Sequence, residues 1–180
     1  MTLRSVYLAG PEVFLSNAGE IGVAKRALCG EFGFDGLYPG EDGGEVAPDA
    51  IYRRCIAQMR SADLIIANLT PFRGPSADVG TVFELGYMTA SGKPTFAYTN
   101  DAAALLERTQ RLDSRARFDN NRQCWTDCDG LMVEAFGLFD NLMLVYGLAA
   151  PVVARDVPSA DRYTDLAGFR ACLELARRLP

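Results

Sequence analysis

The chain has 180 residues, 49% of them hydrophobic, and its 18 Lys and Arg against 23 Asp and Glu leave a net charge of −5. That length suits one well-buried domain, expected over residues 1–180, and is short for two. The acidic balance, without any basic run, argues against a nucleic-acid backbone or an anionic membrane as partner; no apolar stretch approaches the roughly 20 residues of a membrane span, and the opening MTLRSVYLAG lacks the apolar core of a signal peptide, so a cytoplasmic location is expected.

Taken in order, Val6–Gly10 is a strand that stops at a glycine followed by Pro11, where the backbone must turn. Ser16–Phe32 follows as a helix, with Ser16 or Asn17 as cap and Ile21, Ala24, Leu28 and Phe32 at helical spacing. Phe34–Tyr38 is a second short strand, and Pro39–Ala47 an acidic, glycine-rich loop. Pro48–Ala62 reads as a helix with proline in its first turn and Ile51, Cys55, Ile56 and Met59 along one side. Leu64–Leu69 is an apolar run bounded by turn residues, as a strand buried on both faces of a parallel sheet requires.

Thr70–Gly80 is too rich in Pro and Gly for regular structure, and a further helix starts at Thr81 and stops before Gly92 and Pro94. Lys93–Asn100 is the next strand and Asp101–Gln110 the next helix. Leu112–Asp129, polar and carrying the sole tryptophan, Trp125, is expected to be a long, partly mobile loop. Asp140 or Asn141 begins a short helix within Asp140–Leu148, Val152–Ala154 adds an edge strand, and Ala160–Leu179 is an amphipathic closing helix with Leu166, Phe169, Leu173 and Ala176 facing inward. The βαβ succession with short crossovers predicts an α/β, Rossmann-like or flavodoxin-like doubly wound fold: a mostly parallel sheet of about five strands with helices on both faces.

In such a sheet ligands bind in the loops leaving the strands' carboxyl ends, and Asp78 and Glu84 sit in one of them. Histidine is absent, which excludes Ser-His-Asp and Cys-His nucleophile activation. The five cysteines are scattered and odd in number, so they read as free thiols, and Cys124 with Cys128 lacks the further ligands of a zinc site. Neither a Walker A loop nor a GxGxxG fingerprint occurs, so neither a P-loop NTPase nor a typical NAD dehydrogenase is expected; no metal and no cofactor are expected, because a carboxylate nucleophile needs neither. Thr81 and Glu84 have the spacing of a capping box, a purely structural use of the glutamate. Against it stand the flanking Phe83 and Leu85, whose desolvation raises a carboxyl pKa and strengthens it as a nucleophile. Asp78 lies close enough to share the pocket, and two acids in unequal environments suit cleavage of a glycosidic bond.

VYLAGPEVF, ADLIIANLTPFRGPSADVGTVFELGYMTASGKP and FGLFDNLML, in that order over roughly residues 6–148, resemble the nucleoside 2-deoxyribosyltransferase family. The resemblance implies a Rossmann-like subunit of a homo-oligomer acting on small molecules, a nucleoside and a free nucleobase. Residue by residue it makes Glu84 the nucleophile that attacks C1', Asp78 the ligand of a sugar hydroxyl, and Tyr7 the group that holds the nucleophile's carboxylate. It makes Gly10, Pro11 and Phe14 the wall against which the base lies, and Asn141 the residue that reaches the sugar's 5' side in a neighbouring subunit. Cys55 departs from the pattern, standing where the family places Asn or Asp; a thiol is a weak hydrogen bonder, so base protonation and base choice shift. Two rivals remain: an N-glycosidase of 2'-deoxynucleoside 5'-monophosphates, for which Ser16 and Arg73 are the groups near enough to consider for the phosphate, and a non-catalytic nucleoside-sensing module.

Overall fold

The computed structural model describes residues 4–40 and 47–179. Its centre is a five-stranded, wholly parallel sheet of β1 (Arg4–Ala9), β2 (Phe34–Leu37), β3 (Leu64–Asn68), β4 (Thr95–Thr99) and a short strand at Val153–Ala154, in the order β2-β1-β3-β4 and then that edge strand. This is the doubly wound order expected, with its switch point between β1 and β3. Strand alternation sorts the core into two layers. Val6, Leu8, Leu64, Ile66, Phe96 and Tyr98 face α1 (Ala18–Glu31) and the closing helix, whereas Tyr7, Ala9, Ile65, Ala67 and Ala97 face α2 (Pro48–Ser61) and α3 (Val79–Ala90). The second layer holds the candidate site.

The helix expected from Asp101 starts at Leu105, and the sequence reading changes further at four places. First, α3 starts at Val79, not Thr81, because Asp78 caps it: one carboxylate oxygen accepts from Thr81 N at 2.9 Å and Thr81 Oγ1 at 3.1 Å. Second, the inner face of α1 is Ile21, Gly22, Lys25 and Cys29, with Ala24 exposed, because Lys25 turns inward to a buried acid. Third, residues expected to form a loop build an antiparallel sheet instead. After α4 (Leu105–Leu112) come β5 (Arg117–Asp119), β6 (Cys124–Thr126) and β7 (Met132–Val133), in which Phe118 meets Trp125 edge-on at 5.9 Å.

Fourth, α5 (Leu142–Val145) and β8, the edge strand Val153–Ala154, fall where expected, but the closing helix α6 covers only Ala167–Ala176. Residues 160–166 stay out of the helix in part because two of their carbonyls and one of their side chains are engaged elsewhere. Asn100 Nδ2 donates to Arg162 O and Asp165 O, at 2.8 and 3.0 Å, and Tyr163 Oη donates to Pro71 O. Of the acidic loop Pro39–Ala47, positions 41–46 lie outside the described residues. All five cysteines are free thiols. No helix among the described residues is long and apolar enough to cross a membrane.

Candidate active site

Tyr7 occupies the middle of β1, fully buried, on the face covered by α2 and α3. Its hydroxyl donates to Glu84 Oε1 at 2.6 Å. With α3 starting at Val79 and capped by Asp78, Glu84 stands one turn inside the helix and points across to β1, so the capping-box alternative is not realised. The helix takes its cap from one acid and frees the other. Burial pushes the Glu84 carboxyl up to about 7, the Tyr7 hydrogen bond opposes this, and the Asp78 charge adds to it. The Tyr7 phenol is held far above its usual range, by burial and then by the Glu84 charge, so it acts only as a donor.

Cys55, on α2, interacts with the same hydroxyl, and burial raises its thiol, which stays protonated at neutral pH. A cavity of about 210 Å³ opens over these groups, with Gly10, Phe14, Ile51, Cys55, Asp78 and Glu84 among its walls. Along Cys55, Gly80 and Glu84 it adjoins a second hollow of about 260 Å³ bounded by Tyr52, Ile56, Met59 and Phe83. The apolar side of α2 is therefore mostly cavity wall: Met59 alone on that helix is fully buried, and Ile51 is exposed.

The base-wall residues divide. Gly10 and Phe14 line the cavity, while Pro11 is buried at the start of a 3-10 turn, Pro11–Phe14, behind it. Phe14 stacks on Phe72 with centroids 5.3 Å apart, Phe72 meets Tyr163 edge-on, and the Arg73 guanidinium lies over both phenylalanines at 5.3 and 4.7 Å. Arg73 holds a left-handed φ of 56° to do so, a conformation uncommon for a side-chain-bearing residue. Asn141 does not line the cavity of its own chain. It caps α5, accepting from Met143 N at 3.0 Å, and its amide donates to Glu134 Oε1.

Sequence reasoning missed what stands behind the Gly10 wall. Glu12, in the 3-10 turn, is wholly buried, and its Oε1 accepts from Lys25 Nζ at 2.6 Å, Asn68 Nδ2 at 2.9 Å and Tyr98 Oη at 2.9 Å. The Lys25 ammonium also lies over the rings of Tyr98 and Phe169. This network ties the first loop to the carboxyl ends of β3 and β4, and it explains Gly10. The backbone there is extended, which any residue tolerates, but a Cβ would stand 1.9 Å from Glu12 Oε2. Lone charged residues at Glu12 and Lys25 carry no signal in a sequence, because at such positions they usually face water.

Residues 6–143 match the sequence profile of the family described as nucleoside 2-deoxyribosyltransferase. An uncharacterised protein of Schizosaccharomyces pombe is 36% identical over 155 residues, covering 77% of this chain and 74% of the relative. Among solved structures, a 2-desoxiribosyltransferase from Leishmania mexicana superposes with a TM-score of 0.69 at 31% identity, over 95% of this chain and 97% of its own. A conserved protein from Enterococcus faecalis shares the fold, with a TM-score of 0.54 at 18% identity over 97% and 99% of the two chains. With the profile spanning most of the chain and the fold in common, the chain belongs to the nucleoside 2-deoxyribosyltransferase family.

Proposed function

We propose that this protein transfers a 2-deoxyribosyl group from one nucleobase to another through an ester on Glu84, with hydrolysis of the same intermediate as a competing outcome. The observation that carries the reading is the 2.6 Å hydrogen bond from Tyr7 Oη to Glu84 Oε1 inside a cavity. It fixes one carboxylate oxygen and leaves the other to attack. As that oxygen bonds to C1', the C1'–N bond breaks, and the base departs with the electron pair and is protonated. An acceptor base then displaces the carboxylate from C1'. Two inversions give net retention, the two-step course of covalent glycosyl transfer.

Asp78 keeps its second oxygen for a sugar hydroxyl while the first caps α3. The protonated Cys55 thiol beside Tyr7 offers the departing base only a weak donor, which favours bases that leave readily. A nucleoside is preferred over its 5'-monophosphate because the described cavity wall carries two acids and no Lys or Arg. Neighbour-to-neighbour completion of the site by Asn141 is supported by exposed apolar side chains on α3 and on α5 with its C-cap: Val79, Phe83, Met143 and Tyr146.

Incubating the protein with 2'-deoxyinosine and free adenine tests the reading. Deoxyadenosine is the expected product. Release of hypoxanthine without deoxyadenosine, for any acceptor base, would assign the chain to hydrolysis. Thermal stabilisation by nucleoside with no product at all would leave only a sensing module.

A further inference from the structure

The residue read as completing a neighbour's site, Asn141, is held between two carboxylates. Glu134 Oε1 accepts from Asn141 Nδ2, and Glu134 Oε2 accepts from Leu142 N at 3.0 Å. Asn141 Oδ1 accepts from Met143 N at 3.0 Å. An amide whose oxygen caps a helix and whose nitrogen is taken by a carboxylate cannot turn over without losing both bonds. Its second N–H and second lone pair remain for a ligand, in a fixed orientation.

Asp140, 1% exposed, holds the backbone beneath. Its Oδ1 accepts from Asn141 N at 2.8 Å and its Oδ2 from Ala77 N at 2.8 Å, the peptide just before Asp78. Arg108 reinforces the seam by donating from Nη1 to Phe139 O at 2.5 Å and Pro75 O at 3.4 Å. The turn that serves one site is therefore stitched to the loop that carries Asp78 in the other.

We infer that Glu134 is a positioning residue of the transfer reaction: it orients the Asn141 amide toward the 5'-hydroxyl of a nucleoside in the adjacent subunit, on a turn that Asp140 locks to its own subunit's Asp78 loop. The inference rests on the reading of Asn141 given above. Folding alone does not require this arrangement, since a four-residue helix with one cap needs no second carboxylate to hold the cap's nitrogen.

The test compares 2'-deoxyinosine with 2',5'-dideoxyinosine as donors, reading kcat/KM for exchange with adenine. For the wild-type protein the ratio favours the hydroxyl-bearing donor by about tenfold or more, the worth of one well-placed hydrogen bond. Asn141→Ala brings the ratio close to one. Glu134→Ala lowers it about as far, Glu134→Gln falls between, and Glu134→Ala with Asn141→Ala together do no worse than Asn141→Ala alone. Asp140→Asn, which keeps one acceptor of two, loses rate on both donors because it also frees Ala77. If Glu134→Ala slows both donors equally, or leaves the ratio intact while Asn141→Ala abolishes it, the inference is overturned and the reading of Asn141 stands. If Asn141→Ala itself leaves the ratio intact, the reading of Asn141 fails and the inference goes with it.

Discussion

At the scale of single residues, the proposed transfer depends on Glu84 ionising late and on Tyr7 helping it to ionise. A nucleophilic carboxylate works only in its charged form, so with a carboxyl pushed up to about 7 the rate falls tenfold per pH unit below that point and levels off above it. Tyr7→Phe removes the donor that favours the charged form, and its profile of kcat/KM is expected to shift to higher pH. Stability carries the opposite sign. Between its ordinary value of 4.5 and about 7 the folded protein binds the proton more often than the unfolded chain, so stability is lost as pH rises through that window. Glu84→Gln should raise the Tm at pH 8, by about 2–4 °C for each kcal/mol relieved, and leave it unchanged near pH 4. Gly10→Ala tests the wall: with Glu12 Oε2 1.9 Å from the new methyl, either the buried Glu12 network breaks or the turn shifts, and both lower the Tm and raise KM.

At the scale of elements, the α3 start joins folding to chemistry. Asp78 caps the helix and lines the cavity, so its two roles separate by substitution. Asp78→Ala is expected to cost about 1 kcal/mol of stability through the lost cap and to impair transfer, whereas Asp78→Ser restores the stability but not the rate. Denaturant unfolding and exchange assays on the two variants read the roles apart. The same helix shows what the sequence allowed. Its apolar face and Gly92-Pro94 stop were legible, but its start was read two residues late, because Asp78 at the end of an irregular loop supplies the cap that the Thr81–Glu84 spacing suggested for Thr81. Strands β3 and β4 were plain because mostly apolar runs bounded by turn residues have one use in a parallel sheet. The hairpin strands β5 to β7 were hidden because they are short and partly exposed and lack that continuous apolar character. The Glu12–Lys25 pair was hidden for another reason: burial of a lone charge depends on partners brought from elsewhere in the chain.

At the scale of the whole molecule, the sheet order sets the site at the switch point between β1 and β3, with Tyr7 rising from one side and Glu84 descending from the other. Asn141 does not line the described cavity of its own chain and is proposed to serve a neighbour's site, so subunit mixing is informative. Combined in one oligomer, Glu84→Ala and Asn141→Ala subunits are expected to use 2'-deoxyinosine better than either variant alone, because the intact Glu84 of one then meets an intact Asn141 of its neighbour. Charge acts at this scale as well. With two acids on the wall, a deoxynucleoside 5'-monophosphate is expected to be used at least about tenfold less well than the nucleoside, equivalent to about 1.4 kcal/mol. The expectations about transfer all presuppose a bond between Glu84 and the sugar. The most direct measurement is therefore rapid quenching of the protein with 2'-deoxyinosine in the absence of acceptor, followed by mass analysis of its peptides. A deoxyribosyl adduct on the peptide containing Glu84, absent in Glu84→Gln, is the predicted result; sustained transfer to adenine by Glu84→Gln, or an adduct on another residue, would contradict it.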